Sequence, residues 1–421
     1  METELPEEAV ITPLVTDPLG VTTVLAIVCA FWFFVEQRTK WKIFQYLPPL
    51  LWIYATPLIL SNFGIITSSL GLSSADSAQN ILPTSSDTYG WLRNYGLPIF
   101  IVLMLMKVDV AGAIRVMGRG VGVMLLGTVG IMVGGIVAYT IVGNWLPENA
   151  WRGFGALAGS WIGGTGNMGA AAQMLETPPD MFGIAVLADN VIYVIWLPIL
   201  LGSKSFADRF NRWARVPEDR IEKMEAAAQA EAKEERAPNM RDLLYLGVIS
   251  AVVIWLSVAL SNVAPIVRIN GEVMVSAGTW KILFITTFAL ILSLTRLREL
   301  PGAGPIATAL IYLFVAGMGA RAELSGLSEA PVFILGAFIW IFIHGAFVLF
   351  GAWLLKVDVH SAAIASAANV GGAASAPVVA AYHRESLIPV SILMALIGYA
   401  AGNYLAFLTG HLAHWSQQLF F

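Results

Sequence analysis

The sequence predicts an all-α polytopic membrane protein with about ten transmembrane helices, two re-entrant or broken helical hairpins and two inverted-topology repeats. The chain of 421 residues is 57% hydrophobic and only 12% charged, and its mean hydropathy is +0.73. Soluble proteins carry about 25% charged residues, so this composition indicates a membrane protein. Ten apolar runs have close to the roughly 20 residues that span a bilayer. Two more apolar stretches are long enough to cross but contain helix-breaking and polar residues.

The ten apolar runs are spread over the whole chain, and we expect each to form one transmembrane helix. They lie at about 18–35, 43–65, 94–107, 120–143, 182–202, 243–262, 277–295, 305–319, 331–355 and 386–409. The two interrupted stretches lie at 152–176 and 359–382. Nearly all charged residues fall in the loops between these segments. We expect the lipid bilayer and a small-molecule substrate as partners, and no nucleic acid.

The charged segment 203–242 divides the chain into two halves that have the same order of segments. It contains nine basic and nine acidic residues, with an Ala/Glu-rich tract that predicts a helix. We expect an N-terminal repeat at 1–202, a charged cytoplasmic linker at 203–242 and a C-terminal repeat at 243–421.

The distribution of Lys and Arg favours hairpins over complete crossings for the two interrupted stretches. If both return to their starting side, 19 basic residues lie on one side and 5 on the other; if both cross, the split is 14 to 10. Cytoplasmic loops carry the excess of basic residues in membrane proteins. The hairpin arrangement places the linker in the cytoplasm and orients the two halves in opposite directions.

Two pairs of similar segments support an internal duplication. SWIGGTGNMGAAAQ (160–173) aligns with ANVGGAASAPVVAA (368–381), and ADNVIYV (188–194) aligns with AGNYLAF (401–407). Both pairs occur in the same order, inside the same layout of apolar runs. The sequence therefore predicts two related hairpins, one from each half.

Non-helical backbone persists at membrane depth only where protein or a water-filled cavity covers it, because lipid offers no hydrogen bonds. The start of the second half-helix of a hairpin exposes backbone N–H groups, and the helix dipole favours an anion there. Two such tips that converge near the membrane midplane are typical of secondary transporters with inverted repeats.

The polar and glycine residues around the two tips are the candidate ligands. For substrate they are Gly163, Gly164, Thr165, Gly166, Asn167, Asn369, Gly371, Gly372, Ser375 and Asn403. For a sodium ion they are Ser160, Asp189, Asn190 and Ser366. Each of these polar groups could instead hold neighbouring helices together. Asp189 stands out because an ionisable group within an apolar span is a functional candidate by default. No nucleophile and base, zinc-protease or phosphate-loop motif is found, so we expect no enzyme.

Three stretches carry a resemblance to a known family: GSWIGGTGNMGAAA, ADNVIYVIWLP, and SAANVGGAASAPVVAA followed by GYAAGNYLA. They resemble a bacterial family of uncharacterised membrane proteins, the domain of unknown function 819. More distantly, the layout is similar to the glutamate:sodium symporters and the 2-hydroxycarboxylate carriers, which have a GGxG motif at each hairpin tip. Gly163, Gly164, Thr165 and Gly166 match that motif, whereas the second tip has Gly371 and Gly372 followed by two alanines. The resemblance implies a core domain that moves against a scaffold, a possible homodimer, and a location in the bacterial inner (cytoplasmic) membrane.

The leading functional expectation is a secondary active transporter. It would move a small organic anion or amino-acid-like solute by sodium-coupled symport, with Na⁺ as the coupling ion and an elevator-type mechanism. A cation/proton antiporter is the alternative, with Asp189 as the exchanging carboxylate. A structural or partner-binding membrane protein is a third hypothesis, and it leaves the interrupted stretches unexplained.

Overall fold

The computed structural model describes residues 13–39, 41, 43–46, 49–72, 79–231, 236–269, 272–322 and 328–420. Helices form most of this part of the chain. They are α1 (Pro18–Thr39), α2 (Ile43–Tyr46), α3 (Pro49–Ser61), α4 (Phe63–Ser69), α5 (Asp87–Trp91), α6 (Leu97–Leu105), α7 (Val110–Met117), α8 (Arg119–Val142), α9 (Ala150–Gly163), α10 (Thr165–Met174), α11 (Pro179–Gly202), α12 (Ala207–Ala214), α13 (Arg220–Glu231), α14 (Met240–Val263), α15 (Ala277–Ser293), α16 (Ala303–Arg321), α17 (Ala330–Leu355), α18 (Val359–Val370), α19 (Gly372–His383) and α20 (Ile388–Phe420). A short antiparallel pair of strands, β1 (Val267–Ile269) and β2 (Glu272–Val275), precedes α15.

The multi-pass helical class is confirmed, although the helices that could cross a membrane number fewer than ten. Within the described residues, seven helices are long and apolar enough: α1, α8, α11, α14, α16, α17 and α20. Two bent pairs raise the number to nine: α3 with α4, at 70°, and the segment from α5 to α6 with α7, at 46°. The remaining predicted span, α15, is an apolar helix of 17 residues.

The predicted span at 43–65 is divided because a buried polar residue interrupts it. Asn62 lies between α3 and α4, and its side-chain amide donates to the carbonyl oxygens of Leu58 (2.9 Å) and Ala322 (3.0 Å). These bonds tie the break to the end of α16. An apolar run alone does not reveal such a bend.

The first interrupted stretch is a re-entrant hairpin, which we call the first hairpin. α9 ends at Gly163, and α10 begins at Thr165 after Gly164. At the open end, Arg152 Nη1 donates to the carbonyl oxygen of Glu176 (3.0 Å), and Thr177 Oγ1 donates to that of Arg152 (3.2 Å). Because its two ends are in hydrogen-bond contact, this segment enters and returns on one side.

The second interrupted stretch, α18 and α19, is the second hairpin. Its turn lies at Gly371 and Gly372. At its open end the Nδ1 atoms of His360 and His383 are 2.9 Å apart. This segment also returns to the side from which it entered.

The two hairpins enter from opposite ends of α11. This helix of 24 residues begins just after the first hairpin, and near its other end the carbonyl oxygen of Leu200 accepts a hydrogen bond from His383 Nε2 (2.9 Å). We call the end near Leu200, where segment 203–242 follows, the linker side, and the opposite end the far side. The first hairpin opens to the far side and the second to the linker side.

The helices pack as two groups. The core bundle consists of α8–α11 and α17–α20, and the scaffold bundle of α1, α3, α5, α6 and α14–α16. Each half of the chain supplies scaffold helices first and core helices second. Where α10 meets the scaffold it presents glycine: a Cβ at Gly166 would overlap the ring of Phe100, and a Cβ at Gly169 would lie 3.2 Å from Leu97 and Phe314. Such positions allow the two bundles to approach each other closely.

The charged linker is docked rather than fully solvated. The predicted helix in its Ala/Glu-rich tract is present as α13. Arg220 donates to the buried carboxylate of Asp358 and to Ser361 Oγ (2.9 Å) at the start of α18. Glu225 accepts a hydrogen bond from Ser386 (2.6 Å), just after α19. The linker therefore packs against the open end of the second hairpin.

Candidate functional site

The tips of the two hairpins touch each other inside the core bundle. A Cβ on Gly372 would lie 3.4 Å from the Cα of Gly164, which places the two turns in van der Waals contact. Both residues have positive φ, +87° for Gly164 and +58° for Gly372. Glycine adopts such φ values readily, and a side chain at either position would strain the turn. The repeated Gly-Gly pairs thus form the junction between the two halves.

Each tip is the N-terminus of a half-helix. α10 begins at Thr165 and α19 at Gly372, and the first N–H groups of an α-helix have no partner within the helix. Thr165, Gly371 and Ala373 are half-buried, so the junction is not sealed by protein. Two helix dipoles therefore point at one partly accessible place, which suits an anion.

Asp189 lies beside the first hairpin and is hydrogen-bonded through both carboxylate oxygens. Ser160 Oγ donates to Oδ2 (2.7 Å), and Trp161 Nε1 donates to Oδ1 (2.8 Å). The side chain is half-buried. Two of the four predicted sodium ligands, Ser160 and Asp189, are thus in direct contact, whereas Trp161 was not among the predicted ligands.

One helical turn after Asp189, Tyr193 contacts the second hairpin. Its ring and the side chain of Ser375 both lie against Gly371. A single face of α11 therefore contacts both tips. The sequence contains a signal for this residue, because positions i and i+4 share a helix face.

Tyr399 of α20 lies at the junction from the opposite direction. Its ring and hydroxyl lie close to Gly164, where this residue meets Gly372. It thus lies beside both tips. No sequence pattern indicates this placement, since it depends on how α20 packs against the tips.

Several predicted ligands lie away from the open part of the junction. Asn167 is buried against α20, where its amide donates to the carbonyl oxygens of Gly398 (3.3 Å) and Tyr399 (3.4 Å). Gly163 and Gly402 leave room for that side chain. Asn167 therefore fixes the first hairpin to α20.

Asn369 is completely buried and bonds to α8. Its amide donates to the carbonyl oxygen of Met124 (3.1 Å), and its Oδ1 accepts from Thr128 (3.3 Å). Asn403 donates to Thr286 of the scaffold (2.9 Å), and its buried Oδ1 has no partner within the described chain. These two residues flank the hairpins rather than line the junction.

The four predicted sodium ligands are not brought together as one group. The Asn190 amide donates to the carbonyl oxygen of Val186 (2.7 Å) in its own helix. Ser366 lies between His344 Nε2 (2.9 Å) and Trp196 Nε1 (3.0 Å). Trp196 is seven residues after Asp189, about 10 Å along the helix axis. Ser366 therefore belongs to a separate buried network.

The fold and this junction define a multi-pass helical membrane protein with two re-entrant hairpins that meet tip to tip. Residues 23–414 match the family described as protein of unknown function DUF819, and the chain belongs to that family. The uncharacterized membrane protein YjcL of Bacillus subtilis (strain 168) is 25% identical over 385 residues, which cover 90% of this chain and 92% of YjcL. The expected membership of this family is thus confirmed.

Proposed function

We propose that this protein is a secondary active transporter that carries a small organic anion or amino-acid-like solute together with Na⁺. The observation that carries the proposal is the contact between Gly164 and Gly372, where hairpins from opposite sides meet. Two half-helix N-termini at one partly open place favour a carboxylate. Paired broken segments of this kind surround the substrate in transporters with inverted repeats.

The proposed ion site contains the carboxylate of Asp189 and the hydroxyl of Ser160, which are 2.7 Å apart. Carboxylate, hydroxyl and backbone carbonyl oxygens are suitable ligands for an alkali ion. Tyr193 contacts the second tip one turn further along α11, so a change at Asp189 can be transmitted to both hairpins. This arrangement supports coupling between ion and solute. Asn190 and Ser366, with their own partners, support the surrounding structure.

The separation into two bundles supports an elevator-type movement. The glycine-rich face of α10 lets Phe100 and Leu97 of the scaffold pack directly against its backbone, which makes this face the boundary between the two bundles. The sequence layout is similar to that of the glutamate:sodium symporters and 2-hydroxycarboxylate carriers, and we propose that the mechanism is similar as well. It includes a location in the bacterial cytoplasmic membrane with the linker in the cytoplasm, and a homodimer formed by the scaffold.

Transport can be tested in proteoliposomes with carboxylates and amino acids that first raise the melting temperature of the purified protein. We expect uptake driven by an inward Na⁺ gradient, and we expect Asp189→Asn to reduce it at least tenfold because a charged ion ligand is lost. Asp180→Asn, at the start of the same helix and away from the junction, is the matched control and should transport normally.

Normal Na⁺-driven uptake by Asp189→Asn would exclude the proposed ion site. Proton flux driven by Na⁺ without any solute would favour the antiporter instead. If no solute stabilises the protein and no flux is found in either assay, the transporter proposal is wrong.

A further inference from the structure

Three basic side chains gather at the boundary between the scaffold and the first hairpin, on the far side. We call Arg93, Lys281 and Arg321 the basic cluster. Arg93 lies in the π-helical segment Leu92–Gly96 that joins α5 to α6, Lys281 in α15 and Arg321 at the end of α16. Gln173 of α10 joins them: with its amide oriented to satisfy both partners, it accepts from Lys281 Nζ (3.2 Å) and donates to the carbonyl oxygen of Arg93 (3.2 Å).

The cluster brings three positive charges together. The segment Leu92–Gly96, which carries Arg93, packs against α16, which ends at Arg321, while Gln173 bridges Arg93 and Lys281. Lys281 and Arg321 are half-buried, while Arg93 is exposed. Within the described ranges, the ion pairs involve other cations, and no carboxylate pairs with these three. Partly buried like charges without a counter-charge are costly, and an anion would compensate them.

The position of the cluster is also unusual for basic residues in this chain. In the hairpin arrangement only five of the 24 Lys and Arg lie on the far side, and three of the five form this cluster. The general excess of basic residues on one side therefore does not explain it. The three residues come from separate elements and meet beside a hairpin of the core bundle.

We propose that the basic cluster binds a small soluble solute with at least two negative charges, carried on carboxylate or phosphate oxygens. Two guanidinium groups and one ammonium group match such a dianion, because Arg binds these oxygens through paired hydrogen bonds. Gln173 places the bound anion against the first hairpin. That this anion is also the cargo, held before it reaches the tips, rests on the proposed function.

The binding experiment uses the full-length protein in phosphatidylcholine nanodiscs, titrated with succinate or inorganic phosphate at constant ionic strength against chloride. We expect a saturable rise in melting temperature with at least one of the two dianions. Arg93→Gln and Lys281→Gln should each weaken apparent affinity about tenfold or more, since each removes a charge-assisted hydrogen bond. Arg209→Gln, exposed on the linker, is the control and should leave affinity unchanged.

The proposal is overturned if neither dianion stabilises the protein more than chloride, or if Arg93→Gln binds like the wild type. Because Arg93 is exposed, this variant is expected to fold even if Lys281→Gln does not. Stabilisation that requires phosphatidylglycerol in place of phosphatidylcholine would assign the cluster to a lipid headgroup and overturn the soluble ligand.

The same titration with Asp189→Asn separates this inference from the proposed function. We expect unchanged dianion binding in that variant, because Asp189 lies at the hairpin tips. If the protein binds a dianion but transports no solute, the binding site at the basic cluster is supported and the transporter proposal is wrong. If no dianion binds, and Arg93→Gln and Lys281→Gln both transport like the wild type, the basic cluster is not a binding site, while the transporter proposal stands.

Discussion

Gly164→Ala tests whether the hairpin junction is the functional centre. Gly164 has φ +87° and ψ −176°, a region that only glycine adopts without strain, so alanine should cost about 1–3 kcal/mol. The new Cβ would lie 3.7 Å from Gly372 and Tyr399, which is ordinary contact. The substitution therefore acts through backbone strain at residue 164 and not through steric overlap. Relief of that strain would turn the peptide and redirect the N–H of Thr165.

We expect Gly164→Ala to lower the melting temperature by a few degrees and to reduce uptake at least tenfold, about 1.4 kcal/mol of binding. Gly71→Ala is the matched control. Gly71 also has positive φ, +69°, no atom of the described chain lies within 4 Å of the place its Cβ would take, and it lies outside the junction. The alanine variant should lose about 1–2 kcal/mol of stability and keep full uptake.

Two results would refute this reasoning. Unchanged stability of Gly164→Ala would mean that the turn does not require glycine. Reduced stability with full uptake, as in Gly71→Ala, would mean that the junction is structural and that solute passes elsewhere.

Two further predictions concern the surroundings of the junction. Trp161→Phe removes the indole N–H that holds Asp189, so the Na⁺ concentration for half-maximal uptake should rise severalfold; an unchanged Na⁺ dependence would separate Trp161 from the ion site. Arg220→Gln leaves the buried carboxylate of Asp358 without its cation, so it should lower the melting temperature and expose α13 to limited proteolysis. Arg209→Gln is the control for the second change, and equal proteolysis of both variants would contradict the docking of α13.

Much of the fold can be predicted from the sequence, because the patterns that indicate it lie within short stretches of the chain. The Gly-Gly pairs, the Asn residues that follow them and the distribution of Lys and Arg indicate two opposed hairpins. The structure agrees, since Arg152 meets Glu176 and His360 meets His383 at the open ends. Local breaks are harder to predict, as the bend at Asn62 shows.

The short strand pair did have a local signal. VRINGEVMV has Asn-Gly between alternating apolar residues, a pattern typical of a hairpin turn. Hydropathy does not reveal it, because the segment is short and lies between two apolar runs.

The details of the site depend on contacts between residues far apart in the chain. Ser160 and Asp189 are brought together as predicted, but Trp161 and Tyr399 are ordinary aromatic residues in an apolar chain until helices pack around them. Asn369 and Ser366 have the polar character of ligands, yet neighbouring helices already satisfy their hydrogen bonds. Residue type and spacing do not distinguish these two uses.

If the core bundle moves against the scaffold as proposed, the docked linker limits the distance of that movement. α13 is attached to the second hairpin through Arg220 and Glu225, while Arg236 is paired with Asp242 at the start of α14 in the scaffold. Only five residue steps separate Glu231, the end of α13, from Arg236. A fully extended chain of that length reaches roughly 17 Å. A movement that required a longer segment would have to detach α13 from the core bundle or Arg236 from the scaffold. The length of the linker therefore sets a maximum displacement.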